Sequence, residues 1–302
     1  MMSTSTPPAP LDWESQRTFL AVIREGSLSA AARALQLAQP TVRRRLDALE
    51  KAVGSALFTR SPAGLHPTPI ALELARHAET MAAAAEAFAR AASAADDDRS
   101  GTVRISCSEL MGVEVLPRLL APLQAEHPGL VLELSPTNRV EDLLRHEADL
   151  AVRMAPLTQG AVVARKAAAI RLGLFAHRDY VARAGVPQDW ADLQRFALVG
   201  PDRDTATLRA VSLGHTPLRR TMFSLRTDNQ LAQLAAVRAG MGIGLCQLPL
   251  AAREPDLVPV LPALYSHTMD TWVAMHEDLR RVRRVGRVFR HLVQALEAYA
   301  AV

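Results

Sequence analysis

The chain has 302 residues, of which 49% are hydrophobic and 22% are charged, a balance that is typical of a folded globular protein and argues against a disordered one. Its formal net charge is only +4 and its basic residues are almost all arginine, so composition by itself is weak support for nucleic-acid binding. Cys107 and Cys246 lie far apart without paired spacing, which argues against a cysteine zinc site or a disulfide scaffold and fits a reducing compartment.

The first ten residues, MMSTSTPPAP, predict a disordered tail. They do not predict an export signal, because no basic start is followed by an apolar run. No segment of the sequence reaches about 18 uninterrupted apolar residues, so a membrane span is not expected either. These observations favour a cytoplasmic protein without a membrane partner.

Three short helices are predicted over residues 12–53. The first ends at Gly26, the second begins at Ser27 or Ser29, and the third carries Pro40 in its first turn, where the missing N–H of proline costs nothing. Short helices joined by a tight turn predict a helix-turn-helix. The stretch that follows, ALFTRSPAGLHP, predicts a β-hairpin that would serve as a wing.

A long helix is predicted from Thr68 to about Ala95. Its apolar residues are spaced three and four apart, as in a coiled coil, and the large ones among them include Leu74, Met81 and Phe88. Such a stripe could dock on its own domain, but its length and isolation favour pairing with a second subunit. We therefore expect a homodimer through this helix.

Beyond a charged break at residues 95–101, short strand-like runs alternate with helical stretches. The predicted helices cover residues 116–126, 140–147, 230–238 and 282–299. This alternation predicts a mainly parallel sheet covered on both faces, and about 200 residues suit two α/β lobes with a cleft between them.

The stretch LAQPTVRRRLDALE places three arginines in a row on the third helix. Val42 and Leu46 belong to a set of apolar residues with helical spacing and are predicted to be buried. Arg44 then points away from the core, and Arg43 and Arg45 lie about 100° to either side of it. In a helix that enters the major groove, the outward residue meets base edges and the flanking residues meet phosphates.

The alternative for this stretch is a solvated charged face in which Arg43 pairs with Asp47, four residues further along the helix. An isolated run of charges would favour that alternative. Because these arginines follow a helix-turn-helix pattern and the letters QPT, we favour contact with DNA.

The order of the predicted parts resembles the LysR-type bacterial transcriptional regulators over nearly the whole chain. Three stretches carry the resemblance: FLAVIREGSLSAAARALQLAQPTVRRRLDALEKAVGSALFTRSPAGLHPTP, AVRAGMGIGLCQLP and HEDLRRVRRVGRVFRHLVQAL. The resemblance implies an α/β fold class with an N-terminal winged helix-turn-helix, a long linker helix and a C-terminal two-lobed effector domain like a type 2 periplasmic binding protein.

The expected domains follow from the same resemblance. They are a disordered tail at residues 1–10, a DNA-binding domain at residues 11–67, a linker and dimerisation helix at residues 68–95, and an effector-binding domain at residues 101–302. Within the effector-binding domain, we expect a first lobe at about residues 101–165 and 270–302 and a second lobe at about residues 166–269.

The resemblance also implies a regulator of transcription that is not an enzyme and has no cofactor. Its partners would be double-stranded promoter DNA, a small effector bound in the cleft, and further copies of itself in a homodimer and a homotetramer. The expected DNA-contacting residues are Gln39, Pro40, Thr41, Arg43, Arg44, Arg45 and Arg60. For Gln39 and Thr41 the alternative role is capping of the helix, and for Arg60 it is a surface salt bridge.

Polar residues at the ends of predicted strands are the candidate effector contacts, because doubly wound sheets hold ligands at the carboxyl ends of their strands. These residues are Ser106, Cys107, Ser108, Thr137, Asn138, Arg153, Asp202 and Thr227. Grouped at one cleft, they predict a small anionic effector, such as a carboxylate held by Arg153. The alternative is that the hydroxyls cap helices and that Arg153 pairs with a nearby carboxylate.

Other patterns predict no catalytic or metal site. The His-Glu pairs in RHEADL and MHEDLR each lack a second histidine four residues on, and nothing resembles a nucleophile elbow. The glycines of GMGIG follow a helix and lead into a strand, so they predict a turn rather than a dinucleotide site. A solute-binding or enzymatic protein built on the two-lobed domain is the alternative function.

Overall fold

The computed structural model describes residues 11–61, 64–92, 100–138, 148–155, 162–203, 212–213, 216–265 and 267–301. The chain divides into two compact units, an N-terminal unit, Met1–Ala89, and a C-terminal unit, Arg90–Val302. The predicted tail at residues 1–10, the predicted helix at residues 140–147 and the end of the predicted linker helix beyond residue 92 lie outside the described residues.

The N-terminal unit contains the predicted helices and hairpin. Its elements are α1 (Trp13–Glu25), α2 (Leu28–Leu35), α3 (Gln39–Val53), β1 (Phe58–Ser61), β2 (Gly64–Pro67) and α4 (Pro69–Ala92). The side chains of Asp12 and Ser27 accept hydrogen bonds from the free N–H groups at the starts of α1 and α2. Ala38 precedes α3 and offers no such bond, so the fixed backbone of Pro40 is what favours helix at this end.

One glutamate ties the hairpin to α3. The Glu50 Oε1 atom accepts hydrogen bonds from the backbone N–H of Leu57 at 2.7 Å and of Phe58 at 3.3 Å. Leu57 is fully buried in a core that also contains Phe19 and Leu46. The first strand of the hairpin therefore begins at a fixed point beside α3, as a wing requires.

The C-terminal unit is a mixed α/β structure. Its strands are β3 (Gly101–Cys107), β4 (Leu130–Pro136), β5 (Leu150–Arg153), β6 (Val162–His177), β7 (Val199–Gly200), β8 (Ser212–Leu213), β9 (Thr216–Pro217), β10 (Leu225–Arg226), β11 (Gly244–Gln247), β12 (Leu257–Val260) and β13 (His267–His276). Its helices are α5 (Leu116–Glu126), α6 (Arg178–Ala184), α7 (Gln230–Arg238), α8 (Leu248–Ala251) and α9 (Arg283–Ala300). A π-helical turn, Met111–Val115, precedes α5.

The main sheet corrects one prediction. Its strand order is β11-β6-β13-β5-β3-β4, with β12 also pairing with β6. Only β3 pairs in parallel, with β4 and β5, while β13 and β6 run antiparallel to each other and to their other neighbours among the described residues. The expectation of a mainly parallel sheet is therefore wrong here, because two long strands cross between the lobes in opposite directions.

Each lobe has its own apolar core. In the first lobe, Ile105 on β3 and Leu292 on α9 are fully buried in one cluster. In the second lobe, Leu198 and Ile243 belong to another cluster, and their backbones form a parallel bridge. Within the described ranges, no helix is long and apolar enough to cross a membrane.

The GMGIG segment forms the turn that the sequence predicts. Gly240 ends the turn after α7 with a left-handed backbone (φ 69°), and β11 begins at Gly244. A Cβ atom at Gly242 would lie 2.4 Å from the carbonyl oxygen of Ala197, so only glycine allows this close backbone approach. The glycines serve chain packing in the second lobe.

Candidate DNA interface and effector cavity

The outer face of α3 is oriented by its buried face. Val42, Leu46 and Leu49 are at most 5% exposed, as their helical spacing predicts. Arg44 is exposed on the opposite side of the helix. Gln39 and Pro40 are exposed at the start of the helix. Together with Arg44 they form one accessible surface on the N-terminal half of α3.

The three consecutive arginines have different partners. The Arg43 Nε atom lies 3.2 Å from Asp47 Oδ1, which is the pairing that the sequence offers as an alternative to DNA contact. The Arg45 Nη1 atom lies 3.0 Å from Glu14 Oε2 on α1. Arg44 has no ion pair or hydrogen bond to any residue that the structure describes. Of the three guanidinium groups, it is therefore the one that needs to break no such contact before it binds another group.

Two further residues of the predicted DNA interface differ in their surroundings. Thr41 is half-buried, and its backbone N–H donates to the Ala38 carbonyl at 2.9 Å. This hydrogen bond belongs to the first turn of the helix. Arg60 pairs through its backbone with Leu65 in the hairpin, and its side chain lies outside the described atoms. Arg60 therefore lies on the first strand of the hairpin that is predicted to serve as the wing.

The apolar stripe of α4 changes character along the helix. Near its start, Ala71 and Ala78 are buried and Leu74 is half-buried against the core of the N-terminal unit. Further along, Met81 is 40% exposed and Phe88 is 77% exposed. The first part of the stripe therefore docks on its own unit, and the second part leaves large apolar side chains uncovered.

Some of the predicted effector residues do meet at the ends of β3 and β5. Ser106 is buried, and its Oγ atom accepts a 2.6 Å hydrogen bond from Arg153 Nη2. Cys107 is fully buried, and its carbonyl accepts from the Thr137 N–H at 2.7 Å. Ser108 Oγ is buried without a hydrogen-bond partner in the described part of the chain. Arg153 thus holds a neighbouring hydroxyl.

Other predicted residues are linked by two side chains that sequence reasoning missed. Asn138 Oδ1 accepts from the Glu109 N–H at 3.2 Å, and Glu109 Oε2 accepts from Asn229 Nδ2 at 2.8 Å. Thr227 Oγ1 in turn accepts from the Asn229 N–H at 3.2 Å. Asn229 also caps α7. An asparagine directly before a predicted helix was the sequence signal for this role. Asp202 belongs to another contact, an ion pair of 2.7 Å with Arg220.

A cavity of about 300 Å³ lies mainly in the second lobe. Its wall is largely apolar and includes Leu174, Leu198 and Ile243. Leu110 and Met154 are its contributions from the first lobe. None of the eight predicted effector residues is among the described residues that line it. Three of the predicted residues, Arg153, Asp202 and Thr227, are nonetheless the sequence neighbours of lining residues, so the cavity lies beside the strand ends and not in a separate part of the unit.

Gln247 connects the cavity wall to the first lobe. It is 1% exposed, and its Nε2 atom lies 3.5 Å from Met111 Sδ and 3.7 Å from Met154 Sδ, both weak acceptors. Its Oε1 atom accepts a 2.7 Å hydrogen bond from the Tyr299 hydroxyl on α9. Burial raises the pKa of Tyr299, so this hydroxyl stays a donor. A single glutamine within the apolar run LCQLPL was the available sequence signal.

An ion cluster joins the two lobes. Arg238 on α7 contacts Glu114 of the π-helical turn and also Glu254. The hydrogen bond from Arg238 is the main reason why the pKa of Glu114 is lowered. Among the described residues, no group of three or more histidine, cysteine or acidic side chains is placed to hold a metal ion. Glu114 and Glu254 are engaged in this ion cluster instead.

Known proteins share both units of this chain. Residues 13–72 match the family described as bacterial regulatory helix-turn-helix protein, lysR family, and residues 96–297 match the LysR substrate binding domain. The transcriptional activator protein LysR of Escherichia coli (strain K12) is 29% identical over 287 residues, which cover 93% of this chain and 89% of that protein. An HTH-type transcriptional regulator of Xanthomonas campestris pv. campestris (strain 8004) is 30% identical over 176 residues, which cover 58% of this chain and only 51% of that protein.

A solved structure has the same fold. Full-length CbnR in complex with its target DNA matches with a TM-score of 0.63 at 20% identity, over 94% of this chain and 99% of that chain. At this identity the match supports the fold, and the two family matches support the function of each part. The chain therefore belongs to the LysR family of transcriptional regulators, with a DNA-binding helix-turn-helix domain and an effector-binding domain, and is not an enzyme.

Proposed function

We propose that this regulator recognises promoter DNA through the outer face of α3, and that a small molecule bound in the C-terminal unit alters that recognition. The observation that carries the proposal is the exposed Arg44 guanidinium, which has no partner among the described residues and lies opposite the buried Val42 and Leu46. CbnR, which shares the fold, was solved with its target DNA.

The chemistry of α3 suits the major groove. An arginine that faces the base edges donates two hydrogen bonds to O6 and N7 of guanine, which distinguishes guanine from the other bases. Arg43 and Arg45 lie on the flanks, where phosphate oxygens can replace the carboxylates of Asp47 and Glu14. Gln39 and Thr41 at the start of the helix, and Arg60 of the wing, complete the proposed contact surface.

We propose that two copies pair through α4, with Met81 and Phe88 in the interface. Both side chains are exposed in the single chain, and together with Leu74 they follow coiled-coil spacing. A two-fold dimer presents two α3 helices to two half-sites of one operator, so the operator should be a pseudo-palindrome. Homotetramers formed from two dimers, acting in the cytoplasm, belong to the same proposal.

The test is binding of the full-length protein to the DNA upstream of its own gene, measured by fluorescence anisotropy at several salt concentrations. We expect tighter binding to this DNA than to a shuffled sequence of the same length, and an affinity that falls steeply with salt because counterions are released from phosphates. Equal affinity for both sequences would contradict the proposed recognition of this promoter. Footprinting repeated with candidate metabolites tests the effector part.

A further inference from the structure

The cavity of the second lobe carries information about the chemistry of its ligand. Its described lining contains no lysine or arginine. Its one carboxylate, Asp228, is already paired, since Asp228 Oδ2 lies 3.1 Å from Arg203 Nε. Asp228 Oδ1 also accepts the N–H groups of Asp202 and Arg203. Among the described lining residues, the one carboxylate is therefore balanced before any ligand enters.

An anion would be poorly compensated in such a cavity. A carboxylate that leaves water needs an opposite charge or several hydrogen-bond donors, and otherwise its desolvation opposes binding. Arg153, the cation expected to hold an anion, donates instead to Ser106 Oγ at 2.6 Å and to the Val152 carbonyl at 3.1 Å. Arg153 is also absent from the described lining.

We propose that the C-terminal unit binds an uncharged, mainly apolar molecule of one or two rings in this cavity. This inference rests on the proposed function and names the chemical class of its effector. A cavity of about 300 Å³ is at the small end of the range for ligand sites, which suits a molecule of this size. Burial of apolar surface against Leu174, Leu198 and Ile243 supplies the driving force.

The rim of the cavity suits a neutral polar group on the ligand. Gln230, Gln233 and His267 line the cavity, and Gln230 and His267 are exposed. Amide and imidazole N–H groups donate to a ketone oxygen, and amide groups both donate to and accept from a hydroxyl or another amide. A ligand with an apolar body and one such group matches both parts of the wall.

A ligand in this place touches both lobes. Leu110 directly precedes the π-helical turn of the first lobe, and Met154 follows β5. Met154 Sδ is also a neighbour of the Gln247 amide, which is hydrogen-bonded to Tyr299 on α9. Displacement of Met154 by a ligand therefore reaches the first lobe through contacts that already exist.

The test uses two probes of the same ring system on the full-length protein. 2-Acetylnaphthalene is neutral, and 2-naphthoate has nearly the same shape but carries a negative charge. We expect calorimetric titration to give a Kd for the ketone that is at least roughly tenfold lower than for the naphthoate, because only the anion loses uncompensated hydration. Equal or tighter binding of the naphthoate, or no binding of the ketone at its solubility limit, overturns the proposal.

A pair of variants locates the site. Leu245 lines the cavity and is 38% exposed, so Leu245→Trp places an indole ring in the opening without overfilling the core. Met241 is 52% exposed and does not belong to the described lining, so Met241→Trp is the matched control. We expect Leu245→Trp to raise the Kd of the ketone by roughly tenfold or more and Met241→Trp to leave it within about twofold. An unchanged Kd in Leu245→Trp overturns the location.

Promoter binding measured on the same samples distinguishes the class of the ligand from the regulatory role of the protein. If the naphthoate binds more tightly while the protein still prefers its promoter, the ligand class is wrong and the regulatory role stands. If the ketone binds selectively and the protein shows no DNA preference, the proposed function is wrong and the ligand class stands. The comparison of probes uses the unaltered protein, so it remains decisive if Leu245→Trp fails to fold.

Discussion

Arg238 and Glu114 meet through two N–O contacts of 2.8 Å each, with both carboxylate oxygens engaged by one guanidinium. Arg238 lies on α7 of the second lobe, and Glu114 lies in the π-helical turn of the first. Arg253 adds a hydrogen bond of 3.1 Å to the backbone carbonyl of Glu114. This bidentate pair fixes the position of the π-helical turn, which directly follows Leu110 of the cavity wall.

Replacing Glu114 should weaken the C-terminal unit in a pH-dependent way. We expect Glu114→Gln to lower the free energy of unfolding by about 1 kcal/mol near pH 7, because the pair is partly exposed. The folded-state pKa of Glu114 is lowered, so its contribution is present above the ordinary value of 4.5 and is lost as the pH falls through the lowered value. Urea denaturation at neutral pH and well below pH 4.5 measures the difference.

The control for this prediction is Glu297→Gln, which removes the same charge from an exposed pair with Arg165. Because both partners are about half exposed, this change should cost little at either pH. An equal loss of stability in both variants would mean that the bidentate geometry at Glu114 has no special effect.

Arg44 should dominate the affinity for DNA. We expect Arg44→Ala to weaken promoter binding by roughly 10- to 100-fold at matched salt, the effect of losing one bidentate base contact. Arg76→Ala on α4 removes the same charge from another exposed position of the N-terminal unit and should change affinity little. Gel-shift titration measures both, and similar effects of the two changes would indicate a general charge effect instead.

Asp47 should compete with phosphate for Arg43. We expect Asp47→Asn to raise DNA affinity by about twofold, because an exposed pair at this helical spacing contributes a few tenths of a kcal/mol that no longer has to be broken. Glu79→Gln on α4 makes the same change in net charge away from α3 and is the control. An equal gain in the control would show that only the total charge matters.

Tyr265 and Tyr180 offer a matched pair for stability. Both are buried, but the Tyr265 hydroxyl has no hydrogen-bond partner in the described residues, whereas the Tyr180 hydroxyl accepts from the Ala197 N–H at 2.8 Å. We expect Tyr265→Phe to be neutral or stabilising by about 1 kcal/mol, and Tyr180→Phe to cost about 1 kcal/mol or more, since it leaves a buried N–H unsatisfied. Thermal unfolding of the two variants checks the order.

The two cysteines should be chemically inert in the folded protein. Burial raises the pKa of Cys246 to about 12, so its thiol stays protonated near neutral pH, and Cys107 is fully buried. We expect a disulfide reagent to label both thiols in guanidinium and neither one rapidly in native buffer. Fast labelling of Cys107 in the native protein would instead support a redox role at its strand end.

The sequence was sufficient for features that depend on local chemistry. Helical spacing identified the buried face of α3 around Leu46, and the glycine and proline positions identified where α1 and α3 end or begin. The order of these elements was sufficient for the family. The boundaries of α5 and α7 also agree with the predicted ones; Pro117 lies in the first turn of α5, and Asn229 caps α7.

Features that depend on contacts between distant residues could not be predicted. Sheet direction was predicted from the alternation of elements, but β6 pairs with β13, about a hundred residues away. The partner of Arg45 on α1 is 31 residues distant, and no local rule selects it. The cavity has the same origin, since its wall combines Leu110 with residues as distant as Met269. The polar residues at the ends of the predicted strands led to the expectation of a polar site. They did not indicate the apolar cavity beside them.

The different partners of the three arginines have a consequence for the search for an operator. A genome offers a very large excess of non-specific sites, and binding to them is driven by cations that meet phosphates. In the proposed interface, the ion pairs of Arg43 with Asp47 and of Arg45 with Glu14 compete with phosphate for these two cations on incorrect DNA. This competition would shorten the time that the regulator stays bound at each incorrect site. Its effect would then be a faster search for the operator.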